Sequence, residues 1–414
     1  MTARRISLAR RSVANVIETV TGVKNESVSH RFRKRKLLLL PLLILVLVGS
    51  LIAYRSVAPQ LPRGVSQPDF EKAAADFKGE FDRDGDYFDV LMTLAEMAAN
   101  RKDSATAIIC YQQIPTRHAR YGPSARYEEA LLFAQTDQVQ RAEDSLNEFL
   151  ELLKDGIQLP DRQVAHSRHW LTLIYGVELR SEERRIILHS LMEDHQADIN
   201  DVKQYYFGSL LIWQTAFGSQ RVRDFLILDP ANRHLRNAEA RHLVGEGRLK
   251  EARERLAVLR SEDPHDLRTL AVLLESSYEM NDWVAFTSEI AEAPEFSKDE
   301  PWLLTQLRGE WALHQNDWLE AEKYFQYLLE NDPPNAVCLT GLARAFAGQG
   351  MSKEREIILQ RSLLVAKLRV DLSAITHDNP KSAKSVANSA RQLGMDDAVA
   401  ILEFFAARMP DGTP

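Results

Sequence analysis

Side chains able to catalyse a reaction or bind a metal are present in this sequence, but their spacing does not form a site. The nearest two of the eleven histidines, His166 and His169, would share one helix face, yet a zinc site needs at least a third ligand. Glu182 and Glu183 are adjacent, so a helix would direct their carboxylates away from each other. The sequence also lacks the phosphate-loop, dinucleotide, metalloprotease and hydrolase-elbow motifs. We therefore predict no enzymatic activity, no cofactor and no metal, and interpret the histidine pair as surface residues.

The two cysteines, Cys110 and Cys338, are too few and too far apart for a disulfide framework or a cysteine-based zinc site. Both fall in helical patterns, where a single cysteine usually behaves as a small buried apolar residue. We expect them to be structural.

The charge is unevenly distributed. Residues 1–36 hold ten Lys and Arg against two Glu, a net charge of +8, so the total of −7 leaves −15 for the remainder. An acidic body argues against a nucleic-acid partner, which requires a basic face.

A membrane helix is predicted at residues 37–54, which read LLLLPLLILVLVGSLIAY and contain no charge. At about 1.5 Å per residue, such a helix nearly spans the hydrocarbon core of a bilayer. Basic residues concentrate directly before it, so the positive-inside rule places residues 1–36 in the cytoplasm and the rest across the plasma (inner) membrane. Residues 55–69 are rich in proline and predict an extended linker.

An alternative location stays open. Residues 3–22 are rich in Arg and Ser and poor in acidic residues, a pattern typical of a mitochondrial presequence as well as of a basic helix on an anionic leaflet. The sequence is therefore compatible with a bacterial envelope or a mitochondrial inner membrane.

A repeat occupies the C-terminal half. The turn residues Gly247, Asn281, Asn316 and Gly350 are separated by 34, 35 and 34 residues, and Asn-Asp-Trp follows the same register at 281–283 and 316–318. Gly and Asn tolerate positive φ, which lets one helix stop and the next fold back against it. The flanking apolar residues recur at helical spacing, so stacked helical hairpins are predicted.

This layout resembles the tetratricopeptide repeat, a helix–turn–helix unit of 34 residues. The best copies are GRLKEARERLAVLRSEDPHD at 247–266 and NDWLEAEKYFQYLLENDPPN at 316–335, with small residues at Ala252 and Ala321. Lys102 and Asp137, 35 residues apart, occupy turn positions of weaker copies. Phe286 and Arg355 depart from the pattern, since each stands where a small residue is expected.

The resemblance implies an all-α fold, a right-handed α-solenoid preceded by one transmembrane helix. Degenerate repeats are assigned to residues 84–230, well-defined repeats to 231–366, and C-terminal capping helices to 367–414. In this family the aromatic residue after the turn packs between helices, so Trp283 and Trp318 are expected to be structural rather than a platform for carbohydrate.

In the tetratricopeptide family the inner, concave face binds partners through the first helix of each repeat. Carried over to this chain, the resemblance gives a protein-binding set for an extended peptide or a helix. The Lys/Asn clamp for C-terminal carboxylates is absent, so recognition of chaperone tails is not implied. Arg241 and Arg344 could meet acidic groups or be ordinary solvated arginines. The six candidates are Asn237, Arg241, Gln306, Glu310, Thr340 and Arg344.

Three functions follow as hypotheses. The chain is similar to single-pass bacterial proteins whose repeat domains face the periplasm and assist assembly or quality control of envelope proteins, which implies a membrane-anchored scaffold. A second hypothesis is an α-superhelical enzyme acting on glycans, which would need paired carboxylates in a cleft. The third is a repeat protein of the mitochondrial inner membrane.

Overall fold

The computed structural model describes residues 84–207, 216–375 and 381–408. The predicted basic segment (1–36), membrane helix (37–54) and linker (55–69) lie outside the described residues. Within the described ranges, no helix combines the length and the apolar character needed to cross a bilayer.

All regular structure in the described ranges is helical and no strand occurs there, which confirms the all-α prediction for this part of the chain. The helices found there, numbered in chain order, are α1 (Asp84–Asn100), α2 (Ser104–Gln112), α3 (Gly122–Gln135), α4 (Val139–Lys154), α5 (Asp161–Val177), α6 (Ser181–Glu193), α7 (Ile199–Tyr206), α8 (Ala216–Leu228), α9 (Arg233–Gly245), α10 (Leu249–Glu262), α11 (Leu267–Glu279), α12 (Trp283–Ile290), α13 (Trp302–His314), α14 (Trp318–Asn331), α15 (Ala336–Gly348), α16 (Ser352–Ser373), α17 (Lys381–Gln392) and α18 (Asp396–Arg408).

The hairpins form where the turn residues allow the backbone to reverse. Gly247, Asn281, Asn316 and Gly350 all have positive φ, between 54° and 75°. In each turn the backbone N–H of the residue after the turn residue donates to the carbonyl five positions before it, as Arg248 does to Leu243 at 2.9 Å. This hydrogen bond is typical of a Schellman motif, which ends the first helix of the hairpin. The predicted turns are confirmed. The first helices α9, α11, α13 and α15 pack side by side, so α9–α16 form an α-solenoid.

The same turn geometry recurs upstream. Lys102 and Asp137 have φ of 61° and 58°, as their register predicted. Leu179 also has positive φ, 55°, and joins α5 to α6 where the sequence match to the repeat is weakest. A hairpin therefore exists there without a Gly or Asn to mark it.

The solenoid core depends on close approach between helices. The ring of Phe325 is fully buried between α13 and α15. A Cβ on Gly309 would lie 2.7 Å from that ring, and one on Gly341 would lie 2.4 Å from it. The predicted small residues Ala252 and Ala321 are also fully buried, which lets the second helix of each hairpin lie against the first.

The two tryptophans that follow turns are half-buried packing residues. Trp318 contacts α15 at Gly348, where a Cβ would come within 2.2 Å of the indole. Trp283 stacks on His314 with ring centroids 3.8 Å apart and contacts Trp311 at 6.1 Å. Both therefore join neighbouring hairpins, as the resemblance implied.

The two departures from the repeat pattern have different outcomes. Phe286 is fully buried and stacks on Trp311, with ring centroids 5.5 Å apart. Its helix, α12, has only eight residues, and the Phe286 ring packs there in a core shared with α11 and α13. Arg355 is exposed on α16 and displaces nothing.

A segment from the weak repeats lies against the well-defined ones. We call residues 181–206, which comprise α6 and α7, the crossing segment. Arg185 pairs with Asp332 at 3.1 Å, and the Lys203 ammonium donates to the Ile375 carbonyl at 2.7 Å. The α7 helix also packs against α18, and both contribute apolar side chains to one core with α14–α17. The crossing segment therefore ties the weak repeats to the C-terminal end of the solenoid.

Candidate functional site

A half-open cavity of about 720 Å³, which we call the inner chamber, lies between the crossing segment and the solenoid. One wall is the α5–α6 turn, α6 and the end of α7, and the opposite wall comprises α9, α11, α13, α15 and α16. The backbone N–H of Trp302 donates to the Glu182 carboxylate at 2.6 Å, and this hydrogen bond holds α6 against the start of α13. The volume is in the range of small-molecule and peptide pockets.

Three of the six predicted binding residues line the inner chamber, namely Asn237, Arg241 and Gln306. The other three predicted residues do not line it, although they stand at the same repeat positions: Glu310, Thr340 and Arg344. The repeat register therefore located part of the lining.

The charged members of the predicted set form ion pairs between neighbouring repeats. Arg241 pairs with Glu275 at 3.1 Å, and Arg344 pairs with Glu310 at 2.9 Å. In each pair both residues occupy the same repeat position, 34 residues apart, so the pairs join adjacent first helices. The Arg344 side chain is 54% exposed, whereas that of Glu310 is only 7% exposed.

The neutral members of the predicted set differ in burial and in whether their side chains are already hydrogen-bonded. Asn237 is buried, accepts a hydrogen bond from the Thr269 hydroxyl at 3.0 Å, and contacts Asp266 at 3.4 Å. The exposed Thr340 hydroxyl donates to its own helix, at the Ala336 carbonyl. Gln306 is half-buried at the chamber wall and is the member best placed to meet a ligand.

A buried charge cluster stabilises one end of the inner chamber. The Arg180 guanidinium pairs with Glu143 at 2.8 Å, Glu178 at 2.9 Å and Glu183 at 3.2 Å. Burial raises the pKa of Glu178 to about 7, although Arg180 opposes the shift. Burial also lowers the pKa of His234, in the opposite wall, to about 4, so His234 is neutral at pH 7.

Sequence reasoning missed the arginines that the crossing segment, α11 and α16 bring to the chamber. Arg185 lies over the Tyr205 ring, with the guanidinium carbon 3.7 Å from the centroid. Arg184, Arg268 and Arg369 also line the cavity. For Arg184 and Arg185 the sequence shows an Arg-Arg pair directly before the apolar residues 186–188, and for Arg268 and Arg369 it offers no comparable signal.

The histidine pair on α5 borders a second cavity with Tyr127 and Arg162. Trp170 donates its indole N–H to His166 Nε2 at 3.1 Å, so His166 donates from Nδ1 to the Tyr127 oxygen at 2.7 Å. His169 Nε2 lies 3.2 Å from the Asp201 carboxylate. Both rings are engaged within the protein, and the described residues contain no group of three His, Cys, Asp or Glu able to hold a metal.

Comparisons with solved structures return helical-repeat proteins at low identity. A tetratricopeptide repeat protein from Parabacteroides merdae ATCC 43184 is 15% identical, covers 68% of this chain and 93% of its own, and gives a TM-score of 0.29. The APC/C hetero-tetramer Cut9–Hcn1 is 13% identical with coverages of 83% and 73% and a TM-score of 0.37. Yeast Tom70 is 11% identical with coverages of 83% and 92% and a TM-score of 0.30. Neither a protein-family model nor a curated protein matches the sequence.

Proposed function

We propose that the protein is a scaffold that binds another protein, as an extended peptide or a helix, on the inner face of its solenoid. The observation that carries this proposal is the inner chamber, a cavity of about 720 Å³ lined by Asn237 and Gln306, which share one repeat position, and by Arg241, four residues after Asn237 on the same helix. Stacked hairpins bury their apolar faces against one another and leave the inner helices as a continuous recognition surface.

Binding, rather than catalysis, fits the carboxylates of the chamber. Glu178 is the lining carboxylate whose pKa is raised to near neutrality, as an acid catalyst would need. Its side chain is 0% exposed, however, and is bonded to Arg180 and Asn232. Asp332, in the opposite wall, is paired with Arg185. We therefore place no catalytic role on these residues and propose that the protein is not an enzyme.

The proposed cellular setting rests on the sequence outside the described residues. The uncharged stretch 37–54 with its basic flank supports a single-pass anchor in the plasma (inner) membrane, with the N-terminus cytoplasmic and the repeats on the outer, periplasmic side. The acidic body supports a protein partner and no nucleic acid. A role in assembly or quality control of envelope proteins is part of the proposal.

Site-specific crosslinking tests partner binding. A photoreactive benzoylphenylalanine replaces Gln306 in the full-length protein, and a matched control carries it at Val258, which is exposed on the second helix α10. We expect discrete polypeptide adducts from position 306 and none of the same adducts from position 258. Identical adducts from both positions, or none from position 306, would contradict an inner-face scaffold.

Protease access tests the membrane placement. In spheroplasts, added protease should degrade the repeat domain and leave a small protected N-terminal fragment. Full protection of the repeats would show that the orientation is wrong. A mature chain that has lost its first residues would instead favour the mitochondrial location.

A further inference from the structure

The arginines of the inner chamber divide into two groups. Four have carboxylate partners among the described residues: Arg180, Arg185, Arg241 and Arg268, the last with Glu183. The other two lining arginines, Arg184 and Arg369, have no carboxylate partner in that part of the chain. Buried charges are ordinarily paired, so the buried Arg184 is unusual.

Arg184 is the more constrained of the two. It is only 7% exposed, and its Nη2 donates to the Gln204 carbonyl at 2.9 Å, while its Nε has no acceptor. Burial lowers the pKa of Arg184 to about 10, with no neighbouring charge opposing the shift. A guanidinium held in this way has lost its hydration without gaining a counter-ion, which disfavours the empty chamber.

Arg369 reaches the same chamber from α16 and is half-buried. Apolar residues surround this part of the lining, including Val337, Ala366 and Val370, and two of them are largely exposed: Val337 at 49% and Val370 at 69%. A ligand here would meet the Arg369 guanidinium beside an apolar wall, with Arg184 in the lining of the same chamber.

The carboxylates of the lining do not neutralise these arginines. Glu178 is bonded to Arg180, and Asp332 is paired with Arg185. Glu182 accepts the Trp302 N–H. Each lining acid thus has another partner, so the lining neutralises neither Arg184 nor Arg369.

We propose that the inner chamber binds an oxyanion, a carboxylate or phosphate group, on Arg184 and Arg369. Guanidinium forks donate two parallel hydrogen bonds to such groups, which gives them both affinity and geometry. The anion could be carried by a free small molecule or by an acidic side chain of a bound polypeptide. The second source rests on the scaffold proposed above, whereas the first does not.

Thermal unfolding of the full-length protein in detergent tests the site with inorganic phosphate as the probe. Phosphate is compared with sodium chloride at equal ionic strength, because phosphate also raises unfolding temperatures non-specifically. We expect phosphate to raise the unfolding temperature of the wild type by several degrees more than that of Arg184→Met. Equal increments in the two proteins would overturn the proposal.

The ligand-free proteins supply a signature that a structural arginine would not give. Arg184→Met should unfold at a higher temperature than the wild type, because it removes an unpaired buried charge. The matched control Arg180→Met should unfold at a lower temperature, because it leaves carboxylates without their cation. If both substitutions lower it, Arg184 is structural and the proposal fails. Arg369→Gln, at a half-buried position, should reduce the phosphate increment without changing the ligand-free unfolding temperature, and an unchanged increment would remove Arg369 from the site.

The source of the anion is then resolved with two synthetic peptides in which Leu alternates with Glu or with Gln. An Arg184-dependent shift at a concentration at least tenfold below that of phosphate, seen for the Glu peptide alone, identifies an acidic polypeptide. A shift with phosphate and none with either peptide identifies a free small anion. Because neither result uses crosslinking at position 306, failure of the scaffold proposal and failure of the anion site are distinguishable.

Discussion

Replacement of Gly341 by alanine tests whether the solenoid depends on the contact between α15 and the Phe325 ring. An alanine Cβ at this position would lie 2.4, 2.5 and 2.7 Å from three ring atoms of Phe325. The ring cannot retreat, because the backbone of Gly309 lies close to its other side and the ring is fully buried. Local repacking must therefore involve backbone movement.

The magnitude follows from two opposing effects. Overpacking in a well-packed core costs about 1–3 kcal/mol, and three contacts below 3.0 Å place this site in the upper part of that range. A helix-interior Gly→Ala change returns about 1 kcal/mol through helix propensity. We expect a net loss of about 1–2 kcal/mol, which multiplies local opening by about 5–30.

Hydrogen exchange on peptides covering α13–α15 measures that opening in the full-length protein. The matched control is Gly245→Ala, at the last residue of α9, where a Cβ would meet nothing within 4 Å. This change should stabilise α9 by about 0.5–1 kcal/mol. The two substitutions are chemically identical, so opposite signs isolate the contact with the ring.

The double variant Phe325→Leu/Gly341→Ala tests whether the cost of Gly341→Ala depends on the Phe325 ring. With the ring removed, Gly341→Ala should no longer destabilise and should gain up to about 1 kcal/mol, since only the propensity effect is left. Exchange in Gly341→Ala that is as slow as in the wild type, or a cost that is unchanged in the Phe325→Leu background, would refute the reasoning.

Three further predictions concern protonation, turns and thiols. The pKa of Glu178 is raised from 4.5 to about 7 on folding, so its contribution to stability is full below about pH 4.5 and is lost as pH rises through 7. Glu178→Gln should therefore flatten that part of the pH dependence of the unfolding temperature. A profile parallel to that of the wild type would count against the raised pKa. Lys102 has a φ of 61°, so Lys102→Gly should stabilise the hairpin of Lys102 by about 1 kcal/mol. Gly350→Ala, at a φ of 75°, should destabilise the hairpin of Gly350 by about 1–2 kcal/mol. Chemical denaturation measures both changes in the free energy of unfolding, and changes of the same sign would contradict the turn assignment. Cys110 and Cys338 are buried, and burial raises the pKa of Cys110 to about 11 and that of Cys338 further; iodoacetamide should label neither thiol at pH 8 until the protein is unfolded, and rapid native labelling would show that the helices around them open.

The sequence predicted the turns because their chemistry is local. Gly247, Asn281, Asn316 and Gly350 tolerate positive φ, and the structure gives it to all four. Leu179 takes the same conformation without any such preference, so the surrounding helices impose it. Local chemistry therefore marked the four turns of the well-defined repeats, whereas Lys102 was assigned from its register alone and Leu179 was missed.

The candidate site was predicted only in part, for a related reason. Asn237, Arg241 and Gln306 were found because repeat register assigns equal positions to one face. Arg184 and Arg185 enter the chamber from the crossing segment, and the Arg185–Asp332 pair joins residues 147 apart. Periodicity describes neighbours along a solenoid and carries no information about contacts at that separation.

The tie between α7 and the C-terminal end has a consequence for how the chain folds and yields to force. An open solenoid gains its order one neighbour at a time. Here the Lys203–Ile375 contact closes a loop of 172 residues. Closing so long a loop costs conformational entropy, so we expect the contact to form only after the intervening hairpins have folded. A chain pulled from its ends must break the α7–α18 contact before the hairpins between these two helices bear the force.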